Sequence, residues 1–112
     1  MPVTIYHNPR CSKSRTTLGL IQERGIEPEI IEYLTDPPSA AELKKILAML
    51  GKKPAEILRR KEAKEEGVDP DLDDDALIAA MVAHPRVIER PIVVSGGKAA
   101  MGRPPESVLD IL

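Results

Sequence analysis

The sequence predicts an α/β fold with a mixed sheet, in the order βαβ, a helical insertion, then ββα. Three observations carry this. Two short β-rich runs, residues 3–7 and 29–34, flank one helix-length segment, the spacing of a right-handed crossover between parallel strands. A later apolar run, Pro91-Ile92-Val93-Val94, turns at Ser95-Gly96-Gly97 into Lys98-Ala99-Ala100-Met101, which is hairpin spacing. Between these halves the apolar residues recur at helical intervals.

Each element has its own signal. After Asn8-Pro9-Arg10 a helix is expected from Cys11 or Ser12 to Arg24, with Leu18, Leu20 and Ile21 apolar and Gly25 just past its end. Asp36-Pro37-Pro38 breaks the chain after the second strand. Ser39 with Glu42 makes a capping box, opening a helix that places Leu43, Ile46, Leu47 and Leu50 on one face, and Gly51 closes it. Pro54 suits the first turn of a short helix reaching about Lys61. The charged run over 61–71 is expected to be a solvated loop. Asp73 or Asp74 can cap a helix over 75–83, with Leu77, Ile78 and Met81 inward and His84-Pro85 as its stop. Gly102-Arg103-Pro104 leads into a last helix over about 105–111. The expectation is a single domain over 1–112 with its helical insert at about 39–84.

A chain of 112 residues fits one core. That core has no Phe or Trp, and Tyr6 and Tyr33 are the aromatic residues, so Leu, Ile, Val, Ala and Met must fill it with many small dispersion contacts. The net charge of −2 argues against nucleic acid as an obligatory partner. Its distribution says more. Arg10, Lys13 and Arg15 stand without an acid over 7–15, and Arg86, Arg90, Lys98 and Arg103 face only Glu89 over 86–103. Were these segments to meet, they would make a local anion site on a mildly acidic protein. No stretch is long or apolar enough to span a bilayer, and no signal-peptide pattern is present. One cysteine cannot form an internal disulfide, so the chain reads as cytoplasmic.

That cysteine sits between the first strand and first helix. Unpaired N–H groups and the positive end of the helix dipole converge there, which lowers a thiol's pKa. Arg10, Lys13 and Arg15 add charge, and Arg15 lies one turn beyond Cys11. A buried structural cysteine would sit in an apolar pattern instead. His7 has two open uses: tuning Cys11 across the loop, or ending the strand as a satisfied side chain. Ser14 stands where a Cys-x-x-Cys pair would have its resolving thiol, so two-electron chemistry at Cys11 needs an outside thiol. On that ground Ser14 is expected to be replaceable by Ala with most activity kept. Arg90-Pro91 precedes the third strand, where similarity to thioredoxin-like domains implies a cis proline facing the cysteine, so Pro91 is a candidate that would aim Arg90 toward the site.

His7-Asn8-Pro9-Arg10-Cys11-Ser12-Lys13-Ser14-Arg15 resembles the signature of the glutaredoxin-coupled arsenate reductases, a thioredoxin-fold family with a helical insertion. Pro37-Pro38-Ser39, Leu58-Arg59, His84-Pro85, the run from Arg90 to Val94 and Gly102-Arg103-Pro104 follow the same order and spacing. The resemblance implies a thioredoxin-like fold. It implies Cys11 as nucleophile, His7 and Arg15 as its catalytic neighbours, and Arg59, Arg90 and Arg103 around the oxyanion, the Leu-Arg step favouring Arg59 over Arg60. It further implies arsenate as substrate, glutathione as co-substrate, glutaredoxin as partner, and no bound metal, prosthetic group, nucleic acid or membrane. Two alternatives stand beside it. A glutathione-dependent thiol–disulfide reductase would use Cys11 but leave the three arginines without a task. A regulator that docks on RNA polymerase would need the Cys-x-x-Cys switch that Ser14 removes.

Overall fold

A computed structural model describes residues 2–112. The chain divides into two compact units, one made of the segment up to Asp36 together with Arg90–Leu112, the other of Pro37–Glu89.

The first unit holds strands β1 (Val3–His7), β2 (Glu29–Glu32), β3 (Ile92–Ser95) and β4 (Lys98–Met101) in the order β2-β1-β3-β4. β1 runs parallel to β2, as a helical crossover requires, and antiparallel to β3, while β3 and β4 form the hairpin. Gly96 and Gly97, with φ of 57° and 81°, supply the two left-handed residues that such a two-residue turn needs. Helix α1 (Ser12–Glu23) links β1 to β2. This is the thioredoxin-like arrangement, βαβ followed by ββα. β1 alternates, so Val3 and Ile5 face a core that also holds Ile21, Val93 and Val108, with Leu18, Ile26, Ala100 and Ile111 packed at its margin. No aromatic ring enters that cluster; branched aliphatics interlock in its place.

Two local expectations change here. The buried face of α1 is Ser14, Thr17 and Ile21, with Leu18 and Leu20 only half-buried. Small polar side chains fill the end of the helix nearest the cysteine loop, and apolar burial begins a turn later. The last helix, Pro105–Ile111, has the tighter 3-10 winding.

The second unit is helical. Ser39 and Glu42 form the reciprocal capping box of α2 (Ala40–Leu50), and Gly51 at φ 67° ends it. A short 3-10 turn at Pro54–Ile57 precedes α3 (Arg60–Glu66), and α4 (Asp74–Ala83) starts on Asp73, whose carboxylate accepts the Ala76 N–H. The run expected as a solvated loop is thus helical over its first half. Ala63 and Val68 are buried beside it, and Gly67 at φ 71° closes the helix. Ion pairs complete it: Arg59 to Glu62 at 2.7 Å, and Arg86 to Glu65 at 3.0 Å. Among the described residues, no helix is long and apolar enough to cross a membrane.

Candidate active site

The loop after β1 is closed by its own polar groups. The Cys11 N–H donates to the Asn8 carbonyl at 3.0 Å, and the Arg10 N–H donates to Asn8 Oδ1 at 3.0 Å. Arg15 Nη1 donates to the Pro9 carbonyl at 2.9 Å. A turn whose donors and acceptors are met internally holds one shape, and this one delivers Cys11 to the N-cap of α1 with extended backbone.

Cys11 is half-buried. Burial alone pushes its thiol pKa up, yet the net effect is downward. The Ser14 N–H, the positive charge of Arg90, the Lys13 N–H and a hydrogen bond from the Arg90 side chain outweigh desolvation. No conventional side-chain cap bond closes on the helix, so these N–H groups act on the sulfur as oriented dipoles. The thiolate is the stabilised form.

Arg90 reaches the sulfur because it precedes β3. β1 and β3 pair antiparallel with Tyr6 opposite Ile92, so the end of β1 and the start of β3 share one end of the sheet. The Arg90-Pro91 bond is cis, as the sequence suggested, and so is Arg103-Pro104, which it did not. Nε and Nη1 of Arg90 are buried from solvent. Arg103 stands behind it, donating from Nε to the Arg90 carbonyl at 3.1 Å. Gly102 makes this possible: its N–H donates to the Pro91 carbonyl at 2.9 Å. A Cβ at Gly102 would lie 2.5 Å from Thr17 Oγ1 and 2.6 Å from Pro91 Cγ. Glycine is required at 102 by close approach.

The remaining candidates fall in different places. His7 is 5% exposed at the end of β1, and its Nδ1 lies 2.6 Å from Ser14 Oγ. Burial lowers its pKa, Glu32 opposes that and Arg15 adds to it, so the ring is neutral near pH 7. Arg15 lies one turn beyond Cys11, as its spacing suggested, its N–H on the Cys11 carbonyl at 3.0 Å, and its Nη1 also staples the loop through the Pro9 carbonyl. Arg59 belongs to the second unit, at the N-cap of α3, held by Glu62 at 2.7 Å and Glu89 at 3.9 Å. Ser14 is the residue the sequence undervalued. It is fully buried and bonded to His7 and to the Asn8 N–H. The available signal was a serine in the first turn, three residues after the N-cap.

Among the described residues no group of three or more His, Cys, Asp or Glu is placed to hold a metal ion. A cleft of about 230 Å³ opens beside the loop at the carboxyl ends of the parallel strands β1 and β2. Arg10 and Glu32 line it, one charge of each sign.

The ArsC family model matches residues 6–111. The chain belongs to the ArsC family. Among ArsC-like relatives, an arsenate reductase of Neisseria meningitidis (serogroup A, strain Z2491) is 50% identical over 98% of this chain and 97% of the other. The uncharacterized protein YfgD of Escherichia coli K12 is 54% identical over 98% of this chain and 96% of its own length. A solved structure titled arsenate reductase from Vibrio cholerae superposes with a TM-score of 0.92 at 52% identity, covering 100% of this chain and 98% of that one. The ArsC match therefore spans both units, and the loop holding Cys11 lies within it.

Proposed function

We propose that this chain reduces arsenate to arsenite, with Cys11 as the nucleophile and glutathione and glutaredoxin as the thiols that complete the cycle. The observation that carries the reading is the depressed thiol of Cys11 at a helix N-terminus, with the Arg90 guanidinium against it. A thiolate beside a buried guanidinium suits attack on an oxyanion. Charge on the oxygens is met by donors already oriented. The relatives named arsenate reductases supply the substrate.

In this scheme the Cys11 thiolate displaces an arsenate oxygen, lost as water, to give a sulfur–arsenic bond. Glutathione displaces a second oxygen in the same way, with the charged cleft beside the loop as a candidate berth. Forming the disulfide between Cys11 and glutathione delivers two electrons to arsenic, and arsenite leaves. A glutaredoxin thiol takes the glutathionyl group and restores Cys11, since Ser14 cannot serve as a resolving thiol. Arg90 is the substrate-binding residue nearest the chemistry, Arg103 holds it in place and adds charge, and Arg59 is the third arginine of the set. His7 and Arg15 support the thiolate and its loop. Both thiol partners place the protein in the cytoplasm.

The test is a coupled assay with purified protein, arsenate, glutathione, glutaredoxin, glutathione reductase and NADPH. Arsenate-dependent NADPH consumption that vanishes in Cys11→Ser is expected. Arsenate turnover retained in Cys11→Ser would end the covalent mechanism. Reduction of a glutathionylated disulfide with no arsenate turnover would favour the thiol–disulfide reductase.

A further inference from the structure

The sheet ends at β2, and among the described residues no strand covers its outer edge. An open edge presents a row of backbone N–H and C=O groups to any extended chain. Solvent reaches this one: Glu29, Ile30 and Glu32 are exposed, and Ile31 is half-buried. Apolar exposure gathers here as well, with Ile30 46% and Leu34 40% exposed. Charge marks the same stretch. Glu27, Glu29, Glu32 and Asp36 are all exposed, and no Lys or Arg occurs from residue 26 to 36. The far end of the edge meets the site. Glu32 pairs with His7 across the parallel ladder, and Glu32, Leu34 and Thr35 share a cleft with Asn8, Pro9 and Arg10, the residues that lead into Cys11.

A second copy of the chain is a poor occupant of this edge. Two β2 strands in full antiparallel overlap would set Glu29 of one copy opposite Glu32 of the other, and in parallel register each glutamate would face its twin. Like charges directly opposed are unfavourable, and they guard a short edge against self-pairing. The same acids favour a different chain: an extended segment with Lys or Arg flanking apolar residues, held by main-chain hydrogen bonds. We propose that the β2 edge is the docking strip for the protein thiol that regenerates Cys11, received as an added strand with basic flanks. This rests on the scheme above, in which an outside protein thiol clears a disulfide between Cys11 and glutathione. In that step the partner's thiolate attacks the glutathione sulfur, a new disulfide forms between them, and Cys11 leaves as thiolate. Docking on β2 delivers the attacking thiol at the cleft end of the edge, beside the cysteine loop. Burial of Ile30 holds the partner, and the acids steer its approach.

The test sets two reductants against the same disulfide. Cys11 is loaded with oxidised glutathione, and loss of the adduct is followed by mass spectrometry, with glutaredoxin as the protein thiol and dithiothreitol as the small one. Glutaredoxin should clear the parent at a rate that falls as KCl rises, because the attraction is between exposed charges. Ile30→Ser should slow glutaredoxin about tenfold, the loss typical of an interface anchor. Glu29→Lys should slow it by a similar factor at low salt and flatten the salt dependence. Both residues lie outside the cleft lining, so dithiothreitol should clear the variants at the parental rate. A parent cleared by glutaredoxin no faster than by glutathione at equal thiol concentration would remove the scheme itself, before any variant is made. With the parent cleared fast, parental glutaredoxin rates in both variants would overturn the docking strip alone, as would equal slowing with both reductants. A parental dimer that Ile30→Ser turns into monomer on size exclusion would give the edge to a second copy and overturn it too. Urea melts identify a variant that has lost the fold, and the exposed Glu29→Lys decides the matter if Ile30→Ser is that variant.

Discussion

Gly102→Ala is the smallest change with a large expected effect. The added carbon would lie about 0.9 Å inside the 3.4 Å at which ordinary contact begins, against Thr17 Oγ1 and Pro91 Cγ together. Neither neighbour can turn aside cheaply. Thr17 is β-branched, buried and holds the Lys13 carbonyl at 2.8 Å. Pro91 has a closed ring and no free rotamer. Overpacking of this kind costs about 1–3 kcal/mol, and two rigid neighbours put this case in the upper half, about 2–3 kcal/mol. For a domain near this size that corresponds to a fall in Tm of roughly 10 °C. Urea unfolding with an unchanged m-value would measure it. Thr17→Ala in the same background removes the threonine contacts but leaves Pro91, so it should restore part of the loss and show coupling of about 1 kcal/mol. Gly102→Ala as stable as the parent, within about 0.5 kcal/mol, would refute the close-approach reasoning.

Three further outcomes are expected. The alkylation midpoint of Cys11 should lie below the free-thiol value of about 8.5, and a value at or above it would mean that burial wins over Ser14 and Arg90. Arg90→Lys should lower turnover about 100-fold despite keeping the charge, because an ammonium cannot serve the sulfur and an oxyanion with the guanidinium's fixed fork; parental kcat/KM would count against that role. His7, held below its ordinary pKa, takes up its proton later in the folded than in the unfolded chain. Stability should therefore fall as pH drops through about 6.5, and urea midpoints in His7→Asn should lose that component of the slope.

The sequence disclosed the elements whose signals are local. Ser39 and Glu42 announced α2, Asp73 announced α4, and Gly96-Gly97 announced the hairpin, each through a cap or turn that works within a few residues. Helix α3 was illegible for the opposite reason. Ala63 is its one apolar residue, and Arg86, which pairs with Glu65, and His84, hydrogen-bonded to Glu66, lie some twenty positions away. The site divides in the same manner. Cys11 at the N-cap could be read from the chain, and Arg90 before a cis proline from the resemblance to thioredoxin-like domains. The burial of Ser14 could not, because hydroxyls are mostly exposed and its partners depend on how the loop folds back over the first turn. Nor could the brace from Arg103 to the Arg90 carbonyl, which joins segments through the β3–β4 hairpin.

The antiparallel pairing that sets Tyr6 opposite Ile92 makes the sheet a ruler for the site. Cys11 hangs from one strand end and Arg90 from its neighbour, so their spacing is fixed by the ladder's register. Registers are discrete. A slip of one residue displaces a strand by about 3.3 Å and turns its side chains to the opposite face, leaving no intermediate setting. A slip of the ladder would part sulfur and guanidinium outright. As denaturant rises, the reactivity of Cys11 should therefore follow the cooperative unfolding of the sheet, in one step.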